Sequence, residues 1–142
     1  MEFKELVKAL GEKLGIELDG TEGACGLDVD GTTVILQDAG EMLLVRGEIG
    51  EPPPQDMESL FRAVLDANFL YQGTGGATIA RSPENGLLVL QKYDWLERTD
   101  ADRALATVTR FAETLAAWRR ILADYRPQES SSPLSEFISD RA

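Results

Sequence analysis

Between Asp56 and Tyr93 the chain commits to a helix, a sharp break and a hairpin, an order that restricts the fold more than any other stretch. Met57, Leu60, Phe61, Val64, Leu65 and Phe69 recur at helical spacing, which predicts a helix over 57–71 with Asp56 as its N-cap, behind the run Pro52-Pro53-Pro54. On a wheel of about 100° per residue these positions cover roughly half the circumference, wider than the stripe of about 100° that one core face uses. A single partner surface leaves part of that arc wet. The helix is therefore expected to pack on its own domain and on a second body, the simplest being the same helix of another copy.

Asn68 falls inside the apolar arc, where its amide needs a partner such as a neighbouring loop backbone, or loses about 1–3 kcal/mol to desolvation. Gly73-Thr74-Gly75-Gly76 then ends the helix, and 77–81 and 87–93 read as strands around a five-residue loop, Ser82-Pro83-Glu84-Asn85-Gly86. The glycine run is not expected to cradle phosphate. Phosphate loops follow a strand and open a helix, so that N–H groups face the anion. Here the order is reversed, which suits a helix stop with positive φ angles and close backbone approach.

The run Leu65-Asp66-Ala67-Asn68-Phe69-Leu70, followed by Gly73-Thr74-Gly75-Gly76-Ala77-Thr78-Ile79 and Asn85-Gly86-Leu87-Leu88-Val89-Leu90, resembles the central signature of the Tir chaperone family. These are the class I chaperones of bacterial type III secretion. The order of elements matches from about residue 2 to residue 125, with the distinctive letters in 65–90. The resemblance implies a small, acidic, ATP-independent homodimer. Such a protein holds the N-terminal segment of one or a few secreted effectors extended, soluble and fit for export. By position it implies a dimer contact at Phe61, Leu65, Phe69 and Ile79, and apolar effector-binding patches that include Phe3, Leu6, Leu10, Leu44 and Val45. The Ser-rich tail departs from the family pattern, and no motif names the client.

Length and charge agree with a protein of this kind. A chain of 142 residues with 43% hydrophobic content supports one domain and is short for two. Fourteen Lys and Arg against 25 Asp and Glu give a formal net charge of −11, the wrong sign for a nucleic-acid partner. Such a surface keeps the protein soluble, and it also suits a basic or neutral polypeptide. A single cysteine, Cys25, in a strand-like run points to a reduced, cytoplasmic protein. No apolar run approaches the roughly 20 residues of a membrane span, and the first residues lack the pattern of a signal peptide, so no membrane insertion is expected.

The remaining elements follow from periodicity. Phe3, Leu6, Val7, Leu10 and Leu14 keep to an arc near 100°, which predicts a surface helix over 2–14 that Gly15 stops. Strands are expected over 24–29, 32–37 and 42–49, joined by Asp30-Gly31 and by Asp38-Ala39-Gly40. Cys25, Leu27 and Val29 alternate with polar residues, whereas Met42 to Val45 and Leu87 to Leu90 are apolar on both strand faces. Either more of this chain covers the second face or another molecule does. A last helix starts at Thr99, with Asp102 as a partial capping box, and carries Val108, Phe111, Leu115, Trp118, Leu122 and Tyr125 at a/d spacing. That seam fits either an intermolecular coiled coil or packing within its own domain. Residues 1–126 are thus expected to form the chaperone-like domain and 127–142 a flexible Ser-rich tail, whose Leu134, Phe137 and Ile138 offer a docking trio.

Catalytic groups are scarce. The absence of histidine removes the commonest general base and metal ligand, and with it Cys-His and Ser-His-Asp arrangements. Asp28 and Asp30 share a strand face but sit at a turn, and the later positions of a calcium loop are wrong. No ATP site or other cofactor site is expected, and no enzyme. The expected fold is α+β, ordered α-β-β-β-α-β-β-α, with a twisted antiparallel sheet in a secretion-chaperone-like homodimer. The competing readings are a non-secretory binding or regulatory module of the same fold, and a small enzyme using Cys25 or an acidic pair.

Overall fold

The computed structural model describes residues 1–125. The main elements are α1 (Phe3–Leu14), β1 (Ala24–Val29), β2 (Thr32–Ala39), β3 (Met42–Gly50), α2 (Met57–Asn68), β4 (Thr78–Arg81), β5 (Leu88–Trp95) and α3 (Ala101–Asp124), the order expected. The strands form one sheet ordered β1-β2-β3-β5-β4. Its hairpins β1–β2, β2–β3 and β4–β5 are antiparallel, and the connection through α2 carries the chain from β3 to the edge strand β4. The proposed tail, 127–142, lies outside the described residues.

By compactness the chain divides into two units. The first comprises Met1–Gly47 and Lys92–Glu113. In it α1 buries Phe3, Leu6, Val7 and Leu10, and Gly20 lies against Phe3 and Val7. Gly15, at φ 71°, turns the chain so sharply that the Ile16 N–H returns to the Gly11 carbonyl at 3.0 Å. That reversal leaves Leu14 exposed although it belongs to the apolar arc. The β1–β2 turn is Asp30-Gly31, both residues at positive φ, as a two-residue hairpin requires. The β2–β3 turn differs from expectation. Ala39 still pairs with Met42, so the turn is Gly40-Glu41, because the Asp38 N–H is held by the Gly23 carbonyl and its carboxylate accepts from the Gly40 N–H. The cap of α3 also moves by one residue: the Asp100 carboxylate accepts the Arg103 N–H at 2.8 Å, while the Thr99 hydroxyl donates back to the Trp95 carbonyl.

The second unit comprises Glu48–Gln91 and the chain from Thr114 onward. Leu60, Val64 and Ala67 form the buried stripe of α2, each larger side chain contributing about 1.5–3 kcal/mol by leaving water. Asp56 precedes α2 with left-handed backbone (φ 54°), and its side chain makes no cap bond. The helix ends at Asn68, three residues earlier than its apolar pattern, because Leu70 and Tyr71 take φ of 54° and 58°. At the β4–β5 loop the Ser82 N–H bonds the Leu87 carbonyl, which tightens the expected loop to 83–86. Along α3, Leu115, Trp118 and Tyr125 are buried and Leu122 is half-buried in this unit, as Val108 and Phe111 are buried in the first. The a/d seam is thus covered by its own chain.

Candidate functional site

The break after α2 is built by hydrogen bonds that its sequence supplies. Asn68 donates from Nδ2 to the Ile79 carbonyl (2.9 Å) and accepts the Ile79 N–H on Oδ1 (2.8 Å), which fixes the start of β4 against the helix end. The partner is a strand rather than a loop, and both the nitrogen and the oxygen of the amide are engaged. The Gly73 N–H reaches the Ala67 carbonyl at 2.9 Å, and a Cβ on Gly73 would stand 2.7 Å from that of Ala67, so no other residue fits without moving backbone. Trp118 closes the far side by donating from Nε1 to the Gly73 carbonyl (2.9 Å), and the Thr74 hydroxyl donates to the Ala77 carbonyl. The glycine run is a helix stop, with the Gly73 N–H and the Thr74 hydroxyl turned into the chain.

Held this way, the end of α2 presents what it does not bury. Leu65, Phe69, Leu70 and Tyr71 are 68%, 65%, 71% and 56% exposed, and Phe61 beside them is half-buried. Leu65 and Phe69 sit four residues apart, as neighbours on a helix surface do. Two consecutive non-glycine residues in the left-handed region cost about 1–3 kcal/mol each, and strain of this kind collects at working surfaces. Of the residues placed at a dimer contact, Phe61, Leu65 and Phe69 therefore lie together at this surface, whereas Ile79 is buried beneath, its backbone in the grip of Asn68. Sequence reasoning did not single out Leu70 and Tyr71, since a continued helix would have spread them round the wheel.

In the first unit the residues placed at an effector patch separate. Phe3, Leu6, Leu10 and Val45 are core residues, and Leu44, half-buried, alternates onto the other face of β3 from Val45. The apolar side chains that the first unit leaves open are Met1, Leu14, Ile16, Tyr93 and Trp95. Tyr93 and Trp95 stand two apart on β5 and flank the buried Asp94. The alternation Lys92-Tyr93-Asp94-Trp95 is the signal that would have found them, had the strand been extended past Tyr93.

The electrostatics of this unit are structural. Burial alone would push the Asp94 carboxyl up, yet bidentate hydrogen bonds from Arg103 (3.0 and 2.9 Å), its charge, the Trp95 N–H and the field of Lys92 bring it below the ordinary carboxylate range. Desolvation pushes the buried Cys25 thiol up, away from the thiolate that nucleophilic chemistry uses. Asp28 and Asp30 remain at the exposed end of a hairpin. Among the described residues no group of three His, Cys, Asp or Glu could hold a metal, and no helix is long and apolar enough to cross a membrane.

Solved structures share this architecture. A chain of the HopA1–SchA chaperone–effector complex superposes with a TM-score of 0.66 at 19% identity, over 83% of this chain and 93% of that one. A chain of the ExsC–ExsE complex gives 0.68 at 16% identity, over 86% and 97%. A chain of the heterodimeric ExoU–SpcU complex from the type III secretion system of Pseudomonas aeruginosa gives 0.69 at 17% identity, over 82% and 97%. An uncharacterized protein from Methanothermobacter thermautotrophicus also shares the fold, at a TM-score of 0.59 and 14% identity over 84% and 96%. No curated protein matches by sequence. At such identities structural likeness speaks for the fold, and the sequence itself carries the family: the profile of the Tir chaperone protein (CesT) family matches residues 5–119. The chain therefore belongs to the Tir chaperone protein (CesT) family.

Proposed function

We propose that this protein is an ATP-independent chaperone that acts in the cytoplasm as a homodimer. It binds the N-terminal segment of a type III secreted effector and keeps that segment soluble, partly extended and export-competent. One observation carries the reading: the apolar group Leu65, Phe69, Leu70 and Tyr71, left in water at the end of a rigidly held helix. A self-matching face of this kind pairs with a second copy. Phe61 completes the contact at its rim and Ile79 supports it from below. The effector then lies on the first unit, where Leu44, Tyr93 and Trp95 are accessible and Phe3, Leu6, Leu10 and Val45 shape the surface from within. Binding takes apolar client surface out of water, and the entropy of ordering the segment keeps affinity moderate for the area covered. No step needs a nucleotide, a metal or a reactive side chain, and we assign the protein no catalytic role.

Family membership and the chaperone–effector complexes among similar structures support this reading. The likeness to an uncharacterized protein keeps a second one in view, a binding module of the same fold outside secretion. Co-expression with the product of the neighbouring gene, followed by pull-down, separates them. Capture of an adjacent secreted protein through its N-terminal segment supports the chaperone. Capture of a resident regulator, with no effect of that segment, supports the module.

A further inference from the structure

Within the second unit, α3 ends beside the break in α2. Trp118 donates to the Gly73 carbonyl and Leu122 lies against Gly50, so the last turns of α3 are held to this unit. Tyr125, buried, bonds back through its N–H to the Leu122 carbonyl and fixes the point from which the chain leaves. Leu65, Phe69, Leu70 and Tyr71 stand open in the same unit, and no described residue covers them. Beyond Tyr125 the sequence holds one group of large apolar side chains, Leu134, Phe137 and Ile138. They follow a run, 126–133, that has none, and their i, i+3, i+4 spacing is that of a single helical face.

Chain length lets the two groups meet. From Tyr125 to Leu134 the backbone extends to about 30 Å at most. Trp118, about 10 Å back along the helix axis, already touches the Gly73 that follows the open residues. A tether this short holds its end at an effective concentration on the order of millimolar, so a small apolar contact suffices. We propose that Leu134, Phe137 and Ile138 seat on the face formed by Leu65, Phe69, Leu70 and Tyr71 of the same chain while a protomer is alone, and leave it when a second copy pairs there. The inference rests on the paired assembly above and adds what sets the concentration at which it forms. Because both copies must open, a tail that covers about two thirds of lone protomers weakens the dimer about tenfold.

The test uses the full chain. Sedimentation over a range of concentrations compares the parent with Leu134→Ser/Phe137→Ser/Ile138→Ser, whose changes lie outside the described residues and spare their core. The variant should dimerise about tenfold more tightly than the parent. In a second arm a photo-crosslinking p-benzoylphenylalanine replaces Phe137, and the sample is irradiated at dilutions where lone protomers prevail. The crosslink should fall within one chain and map to the tryptic fragment Ala63–Arg81, and Leu65→Ser/Phe69→Ser should abolish it. Equal or weaker dimerisation of the triple variant, crosslinks that map outside that fragment, or crosslinks only between chains would overturn the proposal. If parent and variant are both monomers at every concentration, the pairing fails, and the crosslink alone decides whether the tail lies on this face.

Discussion

Asn68 shows how a single side chain joins a helix to a strand. Its amide meets both backbone groups of Ile79, so Asn68→Leu fits the apolar arc yet strands a donor and an acceptor. The expected loss is about 2–4 kcal/mol, read as a lower urea midpoint. Asn68→Asp keeps the acceptor and loses the donor, and should fall between. Gly73→Ala drives a methyl group into Ala67 and should destabilise by at least as much as Asn68→Leu. Asp94 gives a pH dependence of defined sign. Its folded carboxyl titrates below the unfolded one, so its contribution is present above about pH 4 and fades as acid protonates the folded carboxylate. Asp94→Asn should cost about 1–2 kcal/mol at neutral pH, reduced because Arg103 is half-exposed, and the gap to the parent protein should close on acidification below about pH 4.

Among the elements, α2 and α3 respond differently to substitution. Asp100→Ala removes the bond to the Arg103 N–H and should lower stability by about 1 kcal/mol, whereas Thr99→Ala affects the turn before the helix rather than its cap. The single-residue error at that cap has a plain cause: Thr99 and Asp100 both suit the position, and only the path of the preceding turn decides between them. Periodicity marked the helices well, placing the α2 stripe and the α3 seam from spacing alone. It could say which residues share a face, but not how much of that face the chain itself covers. Phe3, Leu6 and Leu10 look from spacing like any amphipathic face, and all three are buried, with Gly20 against Phe3. Leu65 and Phe69 have the same spacing and nothing over them. The early end of α2 was hidden for a related reason, since Leu70 and Tyr71 are ordinary helix formers pulled into left-handed backbone by the Gly73–Ala67 contact.

For the whole molecule, the decisive quantity is the mass of the species in solution. Leu65→Ser with Phe69→Ser changes two side chains that a lone protomer leaves in water, so the fold should persist with a thermal midpoint close to that of the parent. Light scattering at micromolar concentration should then report the parent as a dimer and this variant as a monomer, and a monomeric parent would refute the paired assembly. The sheet is uneven in how it meets other chains. β4 forms one margin, and at Ile79 its outward N–H and C=O are already occupied by the amide of Asn68. An approaching strand finds that rung taken, which makes this flank a poorer template for a further strand. The opposite border is β1, where a guest that attaches rung by rung would not meet that amide.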